Sequence, residues 1–502
     1  MHRCTVGLVL LLAASPLAAQ MRAPAAAAAA TITAADVSRR IGIIADDSML
    51  GRDTPSRGLE LTAAYIAEQF REFGLKPAGD RGTWFQRYPI SKRKLDLARS
   101  RVLFTAGGKS VSARLDQSAR YNQGNIPEQP ITGPAILVGG RVEPDDVDKM
   151  ALQGKIVIYV SDYSVPIPQN AAQVGRAIRL AAPKAVIQLS NLDSASFVGR
   201  VPRQAQERVG IDLQMVSPPF IEVSEAVLPT VLRAARVTTS EVRKAGGPVV
   251  RELPRLTVRV ELEDSVLSAL TAPNTVGIVE GSDPALKQEY LVYSAHMDHI
   301  GITPGKTDSI NNGADDDASG TAGLVELAEA FSRPDVKPKR SIVFLAVSGE
   351  EKGLWGSRYY SEHPTVPLEK IVANINIDMI GRNWEDTIVA IGKEHSDLGA
   401  TLNRVNAAHP ELRMKAVDDR WPEERFYFRS DHYNFARKGI PILFFFNGVH
   451  EDYHEVSDSP EKIGSEKEAR ILQLLFYLGL DVANARKRPE WREESRAEIV
   501  ED

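Results

Sequence analysis

Potential metal ligands stand at the ends of three apolar segments in the C-terminal half of the chain. His296 ends the segment YLVYSAH, and Asp298 follows it. Glu350 ends SIVFLAVSGE and is followed by Glu351, and Asp378 ends VANINID. A lone histidine or carboxylate pair is more often structural. Carboxylates crowded together repel one another, however, and lower the stability of a fold unless cations neutralise them. Together with the two acidic segments described next, these three groups therefore favour a metal site.

Two acidic segments outside these strands extend the set of donors. They are GADDDASG (313–320), which leads into a predicted helix, and DYHEVSDS (452–459), which follows the last apolar strand. Imidazole and carboxylate donors without thiolate suit Zn²⁺, and Mn²⁺ or Co²⁺ less well. Two ions about 3.5–4 Å apart can activate a water molecule and polarise a carbonyl group. One of two adjacent glutamates can bind metal while the other faces the water, so we expect hydrolysis.

Continuous apolar segments that alternate with helical patterns must position these groups. The strand candidates are residues 290–296, 341–350, 372–378 and 440–447. Such segments are typical of a largely parallel sheet with both faces covered. Ligands bind outside the carboxyl ends of the strands in sheets of this kind. We therefore predict an α/β fold with the candidate ligands at one edge of a mixed, mostly parallel sheet that helices cover on both faces.

The length of 502 residues is enough for two to four domains. Residues 115–260 are rich in short β-type segments and carry no cluster of histidine and acidic residues. We expect them to form a separate, β-rich inserted domain. Residues 31–110 and 265–490 are expected to form one discontinuous α/β domain, and residues 491–502 a solvated charged tail.

The N-terminus has the layout of a cleavable secretory signal over residues 1–20, with Arg3, an apolar stretch and then small residues. We therefore expect an exported protein, either periplasmic or extracellular. The alanine-rich residues 21–30 are expected to be a spacer without a packing role. Cys4, the only cysteine, lies in the signal, so the exported chain has neither a disulfide nor thiol chemistry.

The composition is that of an ordinary globular protein, with 43% hydrophobic and 25% charged residues. The formal net charge is −5, and no long run of lysine and arginine occurs. A protein that binds nucleic acid is expected to carry a basic footprint. We therefore expect no nucleic-acid partner. No apolar stretch reaches the length of about 20 residues that a membrane span needs, so we expect none.

The motifs HMD, GADDDASG, SGEEKG, NINIDMIG, SDHYNF and YHEVSD together resemble the M28 family of zinc metallopeptidases, the group of di-zinc aminopeptidases. The resemblance covers about 265–485 and extends to a lead-in segment at 31–90. It implies an exported aminopeptidase with two Zn²⁺ per chain and the phosphorylase/hydrolase-like zinc peptidase core. The middle segment 115–260 resembles the protease-associated (PA) domain that many members insert before this core.

The resemblance also implies a role for individual residues. Glu350 would be the general base, and Asp298 would accept a hydrogen bond from His296 and fix its tautomer. Tyr427 would help to stabilise the oxyanion, although two cysteines that flank this tyrosine in some members are absent here. The peptide bond after Asp316 would be cis. The implied zinc ligands are His296 and Asp378 for one ion, Glu351 and His454 for the other, and Asp316 as the bridge between them.

Neighbouring polar residues are expected to be structural. His299 and His432 lie beside motifs but add no ligand that the site needs. Asp315 and Asp317 are expected to cap the following helix or to hold the loop.

Three other functions remain open. A carboxypeptidase of the same family would need arginines to hold a substrate carboxylate, and Arg382, Arg425 and Arg429 are available. A glutaminyl cyclase would bind one zinc ion, and an inactive binding module none. For the aminopeptidase, the nearby apolar residues predict a large apolar first residue in the substrate. These residues are Met379, Ile380, Phe426–Phe428 and Phe444–Phe446.

Overall fold

The structure is a computed structural model, and it describes residues 16–161, 171–199, 203, 206–213, 218–305 and 307–501. The chain divides into two compact units. The first contains the residues up to Tyr88 together with those from Thr271 onward, and the second is Pro89–Leu270. The sequence analysis placed the boundaries at 110–115 and 260–265. They differ because each observed boundary lies within a long strand, Phe85–Leu95 or Asp264–Val279.

The α-helices among the described residues are numbered in chain order. They are α1 Pro16–Ala29, α2 Ala34–Ile44, α3 Arg57–Glu72, α4 Pro144–Val147, α5 Ala171–Leu180, α6 Ser194–Val198, α7 Pro229–Ala234, α8 Thr239–Arg243, α9 Gly320–Ser332, α10 Trp355–Glu362, α11 Leu398–Ala408, α12 His432–Ala436, α13 Ser465–Asn484 and α14 Glu493–Ile499.

The β-strands are numbered in the same way. They are β1 Lys76–Pro77, β2 Phe85–Leu95, β3 Arg101–Ala106, β4 Lys109–Arg114, β5 Ala119–Gln123, β6 Ile131–Gly140, β7 Ile156–Val160, β8 Ala185–Ser190, β9 Arg208–Ile211, β10 Phe220–Ser224, β11 Pro248–Glu261, β12 Asp264–Val279, β13 Tyr290–His296, β14 Ser341–Val347, β15 Ile371–Ile377, β16 Thr387–Ile391, β17 Lys415–Val417 and β18 Ile442–Phe445.

The first unit is built on a mixed sheet with the strand order β17-β16-β18-β15-β13-β14-β12. β14, β13, β15 and β18 are parallel to one another, and β17 is parallel to β16. β12 and β16 run antiparallel to their neighbours β14 and β18. Every residue of β14 and of β15 is buried. This burial explains why both strands read as continuous apolar segments in the sequence.

Helix α3 shows how local sequence sets an element of this unit. Ser56 caps its N-terminus, since the Ser56 side chain accepts a hydrogen bond from the backbone N–H of Leu59 at 3.1 Å. Leu59, Ile66 and Phe70 are fully buried and share one face of the helix. Gly74 follows the helix with a φ of 77°, a conformation that favours glycine. The helix therefore begins and ends where capping residues stand.

Helix α9 packs closely against α13. Gly323 permits this approach, because a Cβ atom there would lie 2.6 Å from a methyl carbon of Leu472. Leu324 and Phe331 of α9 are fully buried. The close contact fixes the helix that begins directly after the GADDDASG loop, and so it fixes the position of that loop.

Both ends of the described chain differ from the expectation. Residues 1–15 of the expected signal lie outside the described residues, and helix α1 covers most of the expected spacer. Ala28 and Ala29 are buried, and α1 contacts α13. The expectation of a spacer without a packing role is therefore wrong. The C-terminal tail is not simply solvated, because it forms α14, buries Ile499, and pairs Glu501 with Arg437 at 2.8 Å.

The second unit contains an eight-stranded sheet with the order β4-β3-β11-β6-β7-β8-β10-β5. β6, β7, β8 and β10 are parallel, and β11 pairs antiparallel with both β3 and β6. Strand β9 pairs with Ile90–Arg93 of β2. The core on this sheet is formed by aliphatic residues such as Leu137, Ile158 and Ile187. None of the helices in the described part of either unit combines the length and the apolar character that crossing a bilayer requires.

Candidate metal centre

The carboxyl ends of three neighbouring parallel strands meet at one edge of the first unit's sheet. β13 pairs in parallel with β14 on one side and with β15 on the other. His296, the last residue of β13, lies opposite Val347, the last residue of β14. Asp378 follows β15 directly. The donor atoms of His296, Asp316 and Asp378 lie within 4.8 Å of one another, which confirms that these segments converge.

A first set of donors faces Oδ1 of Asp316. Nε2 of His296 lies 3.3 Å from this oxygen and 3.6 Å from Oδ1 of Asp378. All three residues are buried. Donors arranged tetrahedrally about 2.1 Å from a zinc ion lie about 3.4 Å apart. The three atoms are therefore spaced as ligands of one zinc ion would be.

A second set of donors faces Oδ2 of Asp316. Nε2 of His454 lies 3.1 Å from this oxygen and 3.1 Å from Oε2 of Glu351. His299 reaches the same place, with Nδ1 2.9 Å from Oε1 of Glu351 and 3.7 Å from Oδ2 of Asp316. The sequence analysis gave His299 only a structural role, and its contact with two carboxylates was missed. The two oxygens of Asp316 thus face two separate donor groups.

Several buried polar atoms of the second set make no hydrogen bond within the described part of the chain. A buried polar atom without a partner costs roughly 1–3 kcal/mol, so something else must satisfy these atoms in the working protein. Nitrogen and carboxylate oxygen donors without thiolate fit Zn²⁺. The atoms are Oδ2 of Asp316, Oε1 of Glu351, Nε2 of His454 and both ring nitrogens of His299.

The carboxylates raise the pKa of the imidazoles beside them. Burial alone would lower the pKa of His454, but Asp316 and Glu351 raise it to about 10. Burial also opposes protonation of His296, yet Asp378 and its neighbours hold the pKa of His296 well above its usual range. Zinc binds the neutral imidazole, so binding at neutral pH must release protons.

Asp298 lies at the site but differs from its expected role. Nδ1 of His296 contacts the backbone carbonyl oxygen of Asp298 at 3.1 Å, whereas the nearer carboxylate oxygen is 3.8 Å away. The carboxylate instead accepts hydrogen bonds from the Thr54 hydroxyl at 3.0 Å and from the backbone N–H of Glu350 at 3.2 Å. The expected contact between Asp298 and His296 is therefore present, but it is made by the backbone carbonyl of Asp298 and not by its carboxylate. Burial raises the pKa of Asp298 to about 7.

Asp317 joins three segments of the site. Its Oδ1 accepts hydrogen bonds from the backbone N–H groups of Gly320 at 2.9 Å and Met379 at 3.1 Å. Its Oδ2 accepts a hydrogen bond from the backbone N–H of His296 at 3.1 Å. The expectation that Asp317 holds the loop is confirmed. The peptide bond between Asp316 and Asp317 is cis, as the family resemblance implied.

Arg52 is a structural residue that the sequence analysis missed. Its guanidinium is fully buried and donates hydrogen bonds to the backbone carbonyls of Met297 at 3.0 Å, Gly313 at 2.9 Å and Ile44 at 2.9 Å. It therefore ties the turn after β13 to the loop that carries Asp316. The only signal for this role in the sequence is its place in the segment DDSMLGR.

A cavity opens beside the donors. It brings together acidic groups and the apolar residues Met379, Phe426, Phe444 and Phe446, four of the residues predicted to line a substrate pocket. The predicted residues Ile380, Tyr427, Phe428 and Phe445 do not line it. The full lining is His296, Asp316, Glu350, Asp378, Met379, Phe426, Arg429, Ser430, Phe444, Phe446, Val449 and Tyr453.

Glu350 stands at this cavity and makes no ion pair with the donor histidines among the described residues. Its neighbour Glu351 contacts His454 and His299 instead. The two adjacent glutamates thus face different groups, as predicted. Burial raises the pKa of Glu350 well above its usual range, and the carboxylates of Asp431 and Glu351 add to the effect.

Tyr453, rather than Tyr427, presents a phenol ring at the cavity. The Tyr453 ring stacks on the His454 ring with centroids 3.9 Å apart. Burial raises the pKa of Tyr453, and the carboxylates of Asp316 and Glu351 raise it further. The Tyr427 hydroxyl is buried, makes no hydrogen bond within the described residues, and does not line the cavity. The sequence offered one signal for Tyr453, its position directly before His454.

The comparison with known proteins supports the family resemblance for part of the chain. Residues 274–479 match the sequence profile of Peptidase family M28. The match contains every proposed zinc ligand together with Glu350 and Tyr453. This segment is therefore homologous to peptidases of that family.

Two curated relatives and one solved structure illustrate the similarity. Aminopeptidase YwaD of Bacillus subtilis is 26% identical over 266 residues, which cover 50% of this chain and 52% of that protein. A probable zinc metalloprotease of Pyrenophora teres f. teres is 32% identical over 120 residues, 24% of this chain and 25% of that protein. The solved zinc aminopeptidase BSAP of Bacillus subtilis is 18% identical, with a TM-score of 0.47 over 94% of this chain and 98% of that chain. The chain spans about half, or less, of the length of these curated relatives.

Proposed function

We propose that this chain is an exported metallo-aminopeptidase, which removes the N-terminal residue from peptides with two zinc ions bound at the strand-end site. One observation carries the proposal: Oδ1 of Asp316 lies 3.3 Å from Nε2 of His296, while Oδ2 lies 3.1 Å from Nε2 of His454. One carboxylate thus faces two separate donor groups, which suits a pair of ions that share it. The homology of residues 274–479 to M28 peptidases supports the same reading.

The zinc ligands in this proposal are the residues whose atoms converge. His296 and Asp378 would hold one ion, Glu351 and His454 the other, and Asp316 would bridge them. When bound, the ions supply Lewis-acid activation of a water molecule and of the scissile carbonyl group.

Glu350 serves as the general base. It stands at the cavity next to the donors, and its backbone N–H is held by the carboxylate of Asp298. At that position it can take a proton from the attacking water and then return it to the leaving amine. Asp298 is therefore a positioning residue for Glu350.

Tyr453 supplies a hydrogen-bond donor at the cavity. A phenol with a raised pKa stays protonated throughout the neutral range, so it can donate to the oxygen of the scissile carbonyl as negative charge develops there. The carboxylate of Glu350, which is not a zinc ligand in this proposal, lines the same cavity. A negative group there suits the positively charged N-terminal amine of a peptide.

The apolar part of the cavity sets the preference for the first residue of the substrate. Phe426, Phe444 and Phe446 form one aromatic group, with centroids 4.9 Å and 5.3 Å apart. Met379 lies beside them in the lining. A large uncharged side chain gains most from such a surface.

The second unit contributes no proposed zinc ligand and no residue to the lining of the cavity. It contains neither the donors nor the cavity just described. We assign it the role of a PA-like inserted unit that shapes access to the site. Export rests on the signal-like residues 1–20 alone.

A single hexapeptide with a leucine at its N-terminus tests the proposal. It is supplied in three forms, free, N-acetylated and C-amidated, to the zinc-loaded chain. We expect release of leucine from the free and the C-amidated forms and little cleavage of the acetylated form. Cleavage that survives acetylation and disappears on C-amidation would identify a carboxypeptidase instead.

A further inference from the structure

The three arginines that could hold a substrate carboxylate differ in their contacts. Arg382 is committed elsewhere, because its Nη1 pairs with Oδ2 of Asp452 at 3.0 Å and its side chain is only 14% exposed. Arg425 stacks over the ring of Phe428 at 4.8 Å and does not line the cavity. Arg429 does line it. Among the described lining residues, Arg429 is the only lysine or arginine.

The guanidinium of Arg429 is held in place by a stacking contact, and its N–H groups can still donate hydrogen bonds. It lies over the ring of Phe426 at 4.6 Å, and stacking on an aromatic face leaves the in-plane N–H groups of an arginine free to donate. Its carboxylate neighbour, Glu424, is 3.5 Å away, and both side chains are at least half exposed. An exposed ion pair at this distance contributes little to stability. A substrate carboxylate can therefore take the place of Glu424 beside Arg429.

The lining of the cavity therefore carries charges of both signs. The proposed metal ions take up the charge of Asp316 and Asp378, so Glu350 supplies the free negative charge of the described lining and Arg429 the positive one. A free dipeptide has matching charges, with an amine at one end and a carboxylate one residue away from the scissile bond. The first side chain is a less suitable source of the carboxylate, because Met379, Phe444 and Phe446 offer it no cation and only Phe426 lies beneath Arg429.

We propose that Arg429 binds the C-terminal carboxylate of a dipeptide, so that free dipeptides are the preferred substrates of this site. The inference rests on the proposed aminopeptidase function and specifies its substrate class. Arg429 is a binding residue in this account, and its loss acts on the affinity for the carboxylate.

The experiment compares Leu-Gly with Leu-Gly-amide, using the zinc-loaded full chain. The wild type is expected to cleave Leu-Gly with a kcat/KM about tenfold above that for the amide, the size of a hydrogen-bonded charge pair. The difference should lie in KM and shrink at high ionic strength. In Arg429→Gln the ratio between the two substrates falls to about one.

Arg425→Gln is the matched control, since it removes an arginine that stacks on a neighbouring ring of the same loop. It should keep the wild-type ratio. Equal cleavage of Leu-Gly and its amide by the wild type, or equal loss of the ratio in both variants, contradicts the proposal.

A second pair of substrates tests the source of the carboxylate. Glu-Gly-amide and Gln-Gly-amide differ only in the first side chain. The wild type could prefer the glutamyl amide, and Arg429→Gln could lose that preference. Arg429 would then bind an acidic first side chain, and the dipeptide assignment would be wrong. No cleavage of any of the four substrates would overturn the aminopeptidase function itself, which is a different result from cleavage without a preference.

Discussion

Each unit of the molecule contains four neighbouring parallel strands, yet among the described residues only the first unit gathers histidine and acidic groups at the strand ends. In the first unit these strands are β14, β13, β15 and β18, and His296 and Asp378 stand at the ends of two of them. In the second they are β6, β7, β8 and β10. Similar strand pairing thus occurs with and without a site, so the residue types placed on the scaffold decide where the chemistry lies. The strands of the second unit end at Gly140, Val160, Ser190 and Ser224.

The two units also differ in their histidines and in their buried charged side chains. The chain has nine histidines, and none of them falls between residues 89 and 270. The second unit buries Glu222 beside Arg120 at 2.7 Å, one carboxylate with one cation. The first unit places Asp316 between two histidines and close to further carboxylates. The second unit therefore pairs this buried carboxylate with one cation, whereas the first unit gathers several buried carboxylates around two histidines.

The largest effect is expected at Glu350. Glu350→Gln removes the base but keeps the size and shape of the side chain, so kcat should fall roughly 10²- to 10⁴-fold. Zinc content should stay at the wild-type level, as measured by elemental analysis after gel filtration. Glu351→Gln is the matched variant, and it should lose zinc. If Glu350→Gln lost zinc as readily as Glu351→Gln, the division of roles between the two glutamates would be wrong.

Breaking the charge pair of the second unit should affect stability but leave the site intact. Arg120→Met removes the cation beside the fully buried Glu222, which we expect to lower the free energy of unfolding of this unit by about 3 kcal/mol. Zinc binding should not change. Lys155→Met is the control, because its partner Glu252 is 70% exposed and such a pair contributes less than about 1 kcal/mol. Urea unfolding measures both variants, and equal effects would contradict the contrast.

The two tyrosines distinguish the observed cavity from the sequence-based expectation. Tyr453→Phe removes a hydrogen-bond donor at the cavity and should lower kcat about 10²-fold. Tyr427→Phe removes a hydroxyl that does not line the cavity, and kcat should remain within about twofold. Steady-state kinetics on a leucyl peptide give both values. The reverse order of the two effects would restore the role expected for Tyr427.

Acid sensitivity is expected in the unit that contains the histidines. Nε2 of the fully buried His432 contacts the backbone carbonyl of Tyr427 at 2.7 Å, and burial lowers the pKa of His432 from 6.5 to about 3. The unfolded chain then binds the proton more readily than the folded one at any pH below 6.5 and above 3. Stability conferred by neutral His432 is thus complete above 6.5 and falls as the pH is lowered, by about 2 kcal/mol at pH 5.

His432→Gln keeps a donor at the position of Nε2 but cannot titrate. The loss of stability between pH 8 and pH 5 should therefore be about 2 kcal/mol smaller in the variant than in the wild type. Taking this difference cancels the contribution of zinc binding, which changes with pH in both proteins. Equal losses in the two proteins would show that His432 is not the titrating group.

The sequence predicted what depends on local pattern and motif spacing. Strand β13 was predicted at its observed bounds, and His296 and Asp378 followed from apolar strands that end in ligands. The bridging position of Asp316 was implied by the family motif. These features are visible in a sequence because each depends on a short continuous segment.

The remaining features depend on contacts between distant segments. Arg52 acts through four backbone carbonyls, which no side-chain motif records. Asp298 contacts His296 through its backbone carbonyl, while its carboxylate binds Thr54 and Glu350, a division that the motif does not show. Helix α1 was expected to be a spacer, because alanine-rich segments show little periodicity even where they pack.

Metal titration of the chain tests the central claim most directly. The account predicts two zinc ions per chain in the wild type, measured by calorimetry and elemental analysis, and one in Asp378→Asn or Glu351→Gln. Asp316→Asn should lose tight binding of both ions, because Oδ1 and Oδ2 of Asp316 face different donor groups. A wild type that binds one zinc ion, or an Asp316→Asn variant that still binds one ion as tightly as the wild type does, would contradict the shared carboxylate on which the account rests.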